Sequence, residues 1–452
     1  MERRDFLSCA AKLALATTAS RLAMPARASG PALITAAAVG DCLITRGFTR
    51  NDPKLQPLLS ILRGADVAFG NFEMTLPEPG MYPAATGACG DLNNSAEGPM
   101  PEELYGAGFK MMSTANNHAL DYGIEGMFAT SKKIGAVGIA HAGTGRSLEE
   151  ARAPAYYDSP SGRIALIACA STIRPWSLAS NGNGEISGRP GVSPLRVRTT
   201  HRIEASQIET LRKIQHDLFP VPSSAIVEPP TGEGLNFFGS RFVSGAPAGV
   251  VTTPEIGDIE EIVANVRRAR RNADLVMVSI HAHEAQGDRE TPAAFLLQFA
   301  HACIDAGADI FIGHGPHVLR GIEIYKRKPI FYSLGNFIFE AEGMRQIPRE
   351  IYETCGITGR DPADFFDRAM KGFADQTYWE SVVAQVTFEH RELSELRLHP
   401  VVLQRDLPRA QRGSPVRADQ SQSRIILERL SRLSTPFGTK ISINDDTGVL
   451  RV

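Results

Sequence analysis

Histidines, carboxylates and amides in this chain collect just beyond short apolar runs, a placement that suits the binding of a divalent metal ion. In ADIFIGHGPHVLRGIEIYKRKPIFYSLGNFIF (308–339), residues 309–312 read as a buried strand that stops at Gly313 and is followed by His314 and His317. Residues 329–334 read the same way and are followed by Gly335 and Asn336. A lone buried histidine is more often a hydrogen-bonded core residue, but two within four positions, placed after a strand and beside glycine, are poorly explained by packing. In open α/β sheets, ligands bind beyond the carboxyl ends of the strands.

The same grammar recurs. LITAAAV (33–39) leads into Gly40 and Asp41, and ADVAFG (65–70) into Asn71 and Glu73. FKMMSTA (109–115) leads into Asn116, Asn117 and His118, with Asp121 at a helix start, and DLVMVSI (274–280) into His281, His283 and Glu284. Such ends, repeated along the chain, predict one rim of oxygen and nitrogen ligands, a set suited to manganese, iron or zinc. No cysteine lies in a C-x-x-C pair, which argues against a thiolate zinc site. At Glu73, a carboxylate bonded to backbone at a strand end is an equal alternative to a ligand. His141, His201, His216, His301, His390 and His399 have no partner motif and read as structural.

Helical patterns separate these strands, over 57–65, 100–108, 123–136, 258–272 and 292–308. Strand-then-helix alternation predicts a layered α/β core. Residues 174–250, rich in glycine and proline with one helical stretch at 203–218, and the polar residues 340–380 read as long strand-end insertions, where substrate-binding loops belong. Residues 381–389 and 393–404 predict an antiparallel hairpin, followed by a polar linker (405–420), a helix (424–433) and a strand-like tail. Three parts are expected: an export signal at 1–28, a main domain at 29–408, and a C-terminal helix and tail at 409–452 packed on the same domain.

With 452 residues, 43% of them hydrophobic and 22% charged, the chain can bury a substantial core. A net charge of −2 gives no electrostatic case for nucleic acid. The run Arg267, Arg268, Arg270 and Arg271 reads as a solvated helix face, with Glu260 and Glu261 as partners. At the amino end, Arg3 and Arg4 precede Phe6 and Leu7, a weakly apolar stretch runs to about Ala23, and Ala26-Arg27-Ala28 forms a small-x-small cleavage pattern. This resembles a twin-arginine export signal and predicts a periplasmic or extracellular mature chain beginning near Ser29. The stretch is shorter than the roughly 20 apolar residues of a membrane span, so no stable anchor is expected after cleavage. Cys9 has no lipobox, and the five cysteines beyond the signal, Cys42, Cys89, Cys169, Cys303 and Cys355, form no regular disulfide framework, although one pair could form. Cys42, Cys169 and Cys303 read as small buried hydrophobes.

In order and spacing, GDCLITRG, ADVAFGNFE, ANNHALDYG, SIHAHE, GADIFIGHGPHV and IFYSLGNFIF resemble the successive motifs of the CapA family of poly-γ-glutamate capsule-synthesis proteins. That family is similar to the calcineurin-like metallophosphatases, so the resemblance implies an α/β/β/α sandwich with a two-metal centre at the strand ends. Carried over by position, the candidates are Asp41, Glu73, Asn117, His118, His281, His314 and His317. The chain departs from the family pattern at Gly315 and Arg320, where a histidine and a glutamine are usual, and at HAHEA, where Ala282 replaces tryptophan and Glu284 arrives one place early; His283 could substitute or face solvent.

By chemistry, Asp41 would be a bridging or terminal carboxylate and Asn117 a neutral oxygen ligand. His281, with His314 or His317, would supply nitrogen. His118, oriented by Asp121 three residues on, suits general acid duty. Two function classes follow. One is a metal-dependent hydrolase of a phosphoester or an amide-linked anionic polymer. The other is a non-catalytic capsule-assembly factor that binds polymer or synthase components.

Overall fold

Side-chain alternation along the strands feeds two faces, and both faces are covered. In the strand Leu33–Leu43, Ala36 and Ala38 join a core with Leu166, Met277 and Ile312, whereas Ala37 and Val39 join another with Leu58, Leu62 and Leu104. Alanine has weak strand preference; burial on both faces overrides it here. In the strand Leu275–His281, Leu275 and Met277 point to the first core, while Val276, Val278 and Ile280 pack with Ile262, Val266, Phe295 and Phe299.

The computed structural model describes residues 33–48, 52–85, 92–219, 234–359 and 361–451. The export signal expected at 1–28, with Cys9, and also Cys89 lie outside the described residues. Among the described residues, one sheet has ten strands and runs in the order 442–444, 447–451, 392–402, 380–389, 33–43, 67–72, 109–113, 140–142. Its two further strands, Asn336–Phe339 and Val416–Arg417, pair with 33–43 and 392–402. A six-stranded sheet in the order 322–325, 328–331, 310–314, 275–281, 162–170, 155–159 faces it across the shared core. The helices Gln56–Gly64 and Met100–Ala107 cover the outer face of the first sheet, and Ile256–Asn272 and Ala294–Asp305 that of the second. The architecture is therefore an α/β/β/α sandwich.

Beyond residue 408 the chain stays with this body. The helix Gln420–Ser434, opened by a capping box between Asp419 and Gln422, packs Ile426, Leu427 and Leu430 into the inter-sheet core. The strand Thr447–Arg451 then pairs with Glu392–Val402.

Four expectations need correction. Residues 329–334 are not one strand: Lys328–Phe331 belongs to the six-stranded sheet, and after Gly335 the strand Asn336–Phe339 joins the other sheet beside Asp41. The region 340–380 is not irregular throughout, because Arg349–Thr354 and Pro362–Ala369 are helices that bury Ile351, Tyr352, Phe365 and Phe366. Region 174–250 carries, besides the helix Ala205–Leu218, a four-stranded sheet whose short, half-exposed strands such as Val197–Ile203 (VRTTHRI) lack an apolar signature. Finally, Arg270 turns inward to the buried Asp309 and Glu261 pairs with Arg152, so only Arg267, Arg268 and Arg271 form the exposed face.

Cys42, Cys169 and Cys303 are buried free thiols, and Cys355 is disulfide-bonded. Among the described residues, no helix is long and apolar enough to cross a membrane.

Candidate metal centre

Register brings the strand ends level. Asp41 lies opposite Asn71 on one side and Asn336 on the other, and His281 lies opposite His314. Gly40 allows the approach of the crossing chain: a Cβ there would lie 1.9 Å from the Gly335 carbonyl oxygen, whose neighbouring bond is the one from the Asp41 amide at 3.0 Å.

Asp41 faces both sheets. Its Oδ1 accepts from Asn71 Nδ2 at 2.8 Å and lies 3.4 Å from His314 Nδ1 and 3.8 Å from His281 Nδ1. Its Oδ2 accepts from the Gly315 amide at 3.0 Å and lies 3.4 Å from His317 Nδ1. Glu73 Oε1 lies 3.7 Å from His281 Nε2 and 3.9 Å from both His118 Nε2 and His317 Nε2. Those separations are too long for hydrogen bonds. They fall within the roughly 4.4 Å that two donors can span when each sits about 2.0–2.2 Å from one ion.

Three groups have donor atoms within 4.8 Å of one another: Asp41, His281 and His314; Glu73, His281 and His283; and Asp41, Glu73 and His317. His314 and His317 thus fall in different groups that share Asp41. Both carboxylate oxygens of Glu73 and Oδ1 of Asn117 are buried without a hydrogen-bond partner. The backbone-bonded alternative for Glu73 is thereby removed. Buried oxygens are nearly always paired. Orphaned carboxylate oxygens of Glu73 beside imidazoles fit a hard to borderline divalent ion.

Electrostatics sharpen the point. Burial opposes ionisation of Asp41, but the imidazoles of His314 and His317, each with Nδ1 3.4 Å from a carboxylate oxygen, hold its carboxyl well below the usual range. Burial, followed by the charge of Asp41, pushes Glu73 well above its usual range. Burial and then the charge of His283 drive His281 well below the ordinary imidazole value. Burial and then the charge of His317 bring His283 down to about 3. Both imidazoles are neutral near pH 7, the form that ligates metals. Cation charge at this spot would favour ionised Glu73.

Surrounding groups orient these side chains. Asn336 donates Nδ2 to the Tyr378 carbonyl at 3.0 Å, so its Oδ1 accepts from His317 Nδ1 at 2.8 Å and leaves His317 Nε2 turned toward Glu73. Ser279 Oγ lies 2.7 Å from His314 Nε2. Ser279→Ala should weaken metal binding about tenfold, read by titration against a fluorescent chelator. Unchanged affinity would remove Ser279 as an orienting group.

His118 stands at the edge of the cluster. Its Nδ1 lies 2.6 Å from Asp121 Oδ2, which also accepts from the Asn94 amide at 2.6 Å. The carboxylate can only accept, so Nδ1 carries the proton and Nε2 is the atom free to give or take one. Arg174 Nη2 lies 3.8 Å from Asp121 Oδ1. Asn116, next to the candidate Asn117, is a strut: it donates to Asn71 Oδ1 and the Phe72 carbonyl and accepts from the His118 amide.

Two residues were ambiguous in sequence. His283 is half-buried and turned to the cluster, its Nε2 2.9 Å from His281 Nε2. The H-x-H spacing after a strand was the available signal. Glu284 accepts from Ser171 Oγ and Thr172 Oγ1 at 2.8 and 3.0 Å and lies outside the three groups. Ser171 and Thr172 follow the strand Gly162–Ala170, whose end carries no histidine, carboxylate or amide to mark it in the sequence. Elsewhere, His301 bonds Glu323 and His399 bonds Gln385 and Arg417.

Among known proteins, an uncharacterized protein of Sinorhizobium fredii, y4uA, is 38% identical over 439 residues, covering 92% of this chain and 93% of its own. The PGA biosynthesis protein CapA of Bacillus subtilis is 26% identical over 314 residues, covering 68% of this chain and 64% of its own. Haemophilus influenzae NAD nucleotidase, NadN, covers 91% of this chain and 57% of its own at 10% identity and a TM-score of 0.33, a likeness too distant to bear on the site. Residues 35–341 match the family described as bacterial capsule synthesis protein PGA_cap, and the chain belongs to that family.

Proposed function

We propose that this protein is an exported, metal-dependent hydrolase of the CapA type, acting on a phosphoester or an amide-linked anionic polymer. The observation that carries the reading is Glu73: a buried carboxylate with both oxygens unpaired, facing nitrogens of His118, His281 and His317. Asp41, Glu73, Asn117, His281, His314 and His317 would hold two ions of manganese, iron or zinc, with Asp41 shared between them. Such ions supply Lewis acidity and lower the pKa of water. His118 contributes the proton: Asp121 fixes its ring, and Nε2 delivers to the departing oxygen or nitrogen.

The test is turnover of bis(p-nitrophenyl) phosphate and of a γ-linked glutamate oligomer by metal-replete mature protein. No turnover of either would sink the hydrolase. The second reading, a non-catalytic assembly factor working with capsule synthase components, is favoured by the Bacillus subtilis relative, which is a PGA biosynthesis protein. It would stand if polymer binding survived without turnover. Export has its own test: changing Arg3 and Arg4 to lysine should trap unprocessed, folded precursor in the cytoplasm. Normal processing of that double variant would remove the twin-arginine route.

A further inference from the structure

We propose that His283 is a metal ligand of this centre, presented by a loop that the buried Arg320 clamps and admitted by the absence of a side chain at Gly315. The inference rests on the metal-centre reading above and adds a residue to it. His283 lies past the end of the strand Leu275–His281, yet its Nε2 is 2.9 Å from His281 Nε2, and donor atoms of Glu73, His281 and His283 fall within 4.8 Å of one another. Both carboxylate oxygens of that Glu73 are orphaned. Two imidazoles and an unpaired carboxylate converging in one place, with Glu73 and His281 buried and His283 half-buried, make a nitrogen-rich donor set of the kind zinc takes.

Loop residues rarely hold one position without support, and the support here is unusual. Arg320 is fully buried, and its hydrogen bonds run to backbone carbonyls: Nε to Arg289 at 3.0 Å, Nη1 to Ala282 at 3.4 Å and Nη2 to His283 at 3.2 Å. A guanidinium taken out of water is costly, and these carbonyls compensate it without a directly bonded carboxylate. The return is a fixed loop: Arg320 holds the carbonyls of 282, 283 and 289, while Thr172 Oγ1 accepts from the His283 amide at 2.8 Å. The main chain of His283 is thus held at both its N–H and its C=O.

Gly315 supplies the space. It has φ +115°, and a Cβ there would lie 2.9 Å from His283 Cδ2, 3.0 Å from the Ala282 nitrogen and 3.2 Å from His281 Cε1. A side chain at 315 would crowd the ring of His283 and force it or the neighbouring backbone to shift. Arg320 is therefore a positioning residue, and Gly315 a permissive one.

The experiment titrates purified mature protein with zinc against a chelator and counts bound equivalents. Asp41→Ala should lose all zinc, while His283→Ala should lower the affinity for at least one bound ion by at least about a hundredfold. Gly315→Ala should mimic His283→Ala by displacing the ring, Arg320→Met should weaken the same ion about tenfold, and His301→Ala should change nothing. A readout independent of variants is the imidazole nitrogen resonance of His283 in histidine-labelled protein, which should shift as zinc is added. If wild type binds zinc, while His283→Ala binds it as tightly and the resonance stays put, the inference is overturned and the centre stands. If wild type binds no divalent ion, both fail.

Discussion

Chelation should lower the melting temperature of the wild-type protein and barely move that of Asp41→Ala. Asp41 is the one residue common to the group with His281 and His314 and the group with Glu73 and His317. Its partners come from distant segments; 274 residues separate it from the Gly315 amide it accepts from. An unfolded chain cannot present these donors together, so ions bind the native state selectively. The stabilisation follows the logarithm of ion excess over the dissociation constant, about 4 kcal/mol at a thousandfold excess. Without ions, two buried carboxylates share one low-dielectric spot, and the upward push on Glu73 by burial and by Asp41 records that conflict. Asp41→Ala also strands the Asn71 amide and the Gly315 N–H, at a cost of about 1–3 kcal/mol for each unsatisfied group. The comparison is therefore the response to chelator, not the melting temperature itself. Manganese, iron or zinc should restore the wild type. Equal responses of the two proteins would mean that the strand-end residues are not a metal centre.

His118→Ala should cut turnover by about 10²–10⁴-fold while leaving metal content and melting temperature near wild type. The side chain is 12% exposed, and only its Nε2 is available once Nδ1 is engaged by Asp121. A purely structural role would show as lost metal or lost stability, since the histidine would then be needed to hold the site together. Asp121→Asn should fall in the same direction by less, because the amide can misorient the ring without removing it. Metal analysis, a thermal melt and a rate measurement on the same sample separate the outcomes. Full turnover by His118→Ala would end its role as the proton donor.

The strand ends that carry Asp41, Glu73, His118, His281 and His314 are legible in the residues alone, because a strand buried on both faces is a short apolar run and the first polar residue beyond it must sit at the rim. A layered α/β core is legible for a related reason, since apolar strands alternating with helical patterns must be covered on both sheet faces; the α/β/β/α order of the layers was implied only by the resemblance to the CapA family. Local chemistry also ties His118 to Asp121, three residues apart. What lies between 174 and 250 was not legible, since strands such as Val197–Ile203 are half-exposed and polar and acquire their pairing only from one another. The helices Arg349–Thr354 and Pro362–Ala369 were hidden likewise, in a segment whose few apolar residues meet the core only after folding.

By itself, then, the sequence determined which residues reach the rim and that the rim is rich in metal donors. Tertiary structure alone decided how they meet. Register between strands far apart in the chain sets His281 against His314 and Asp41 against Asn71 and Asn336. It leaves Glu73 without a backbone partner, and it turns His283 inward under the hold of Arg320 and Thr172. The reason is physical. Strand character and side-chain chemistry are local properties, whereas the pairing of buried polar atoms depends on contacts across tens to hundreds of residues that no local pattern encodes.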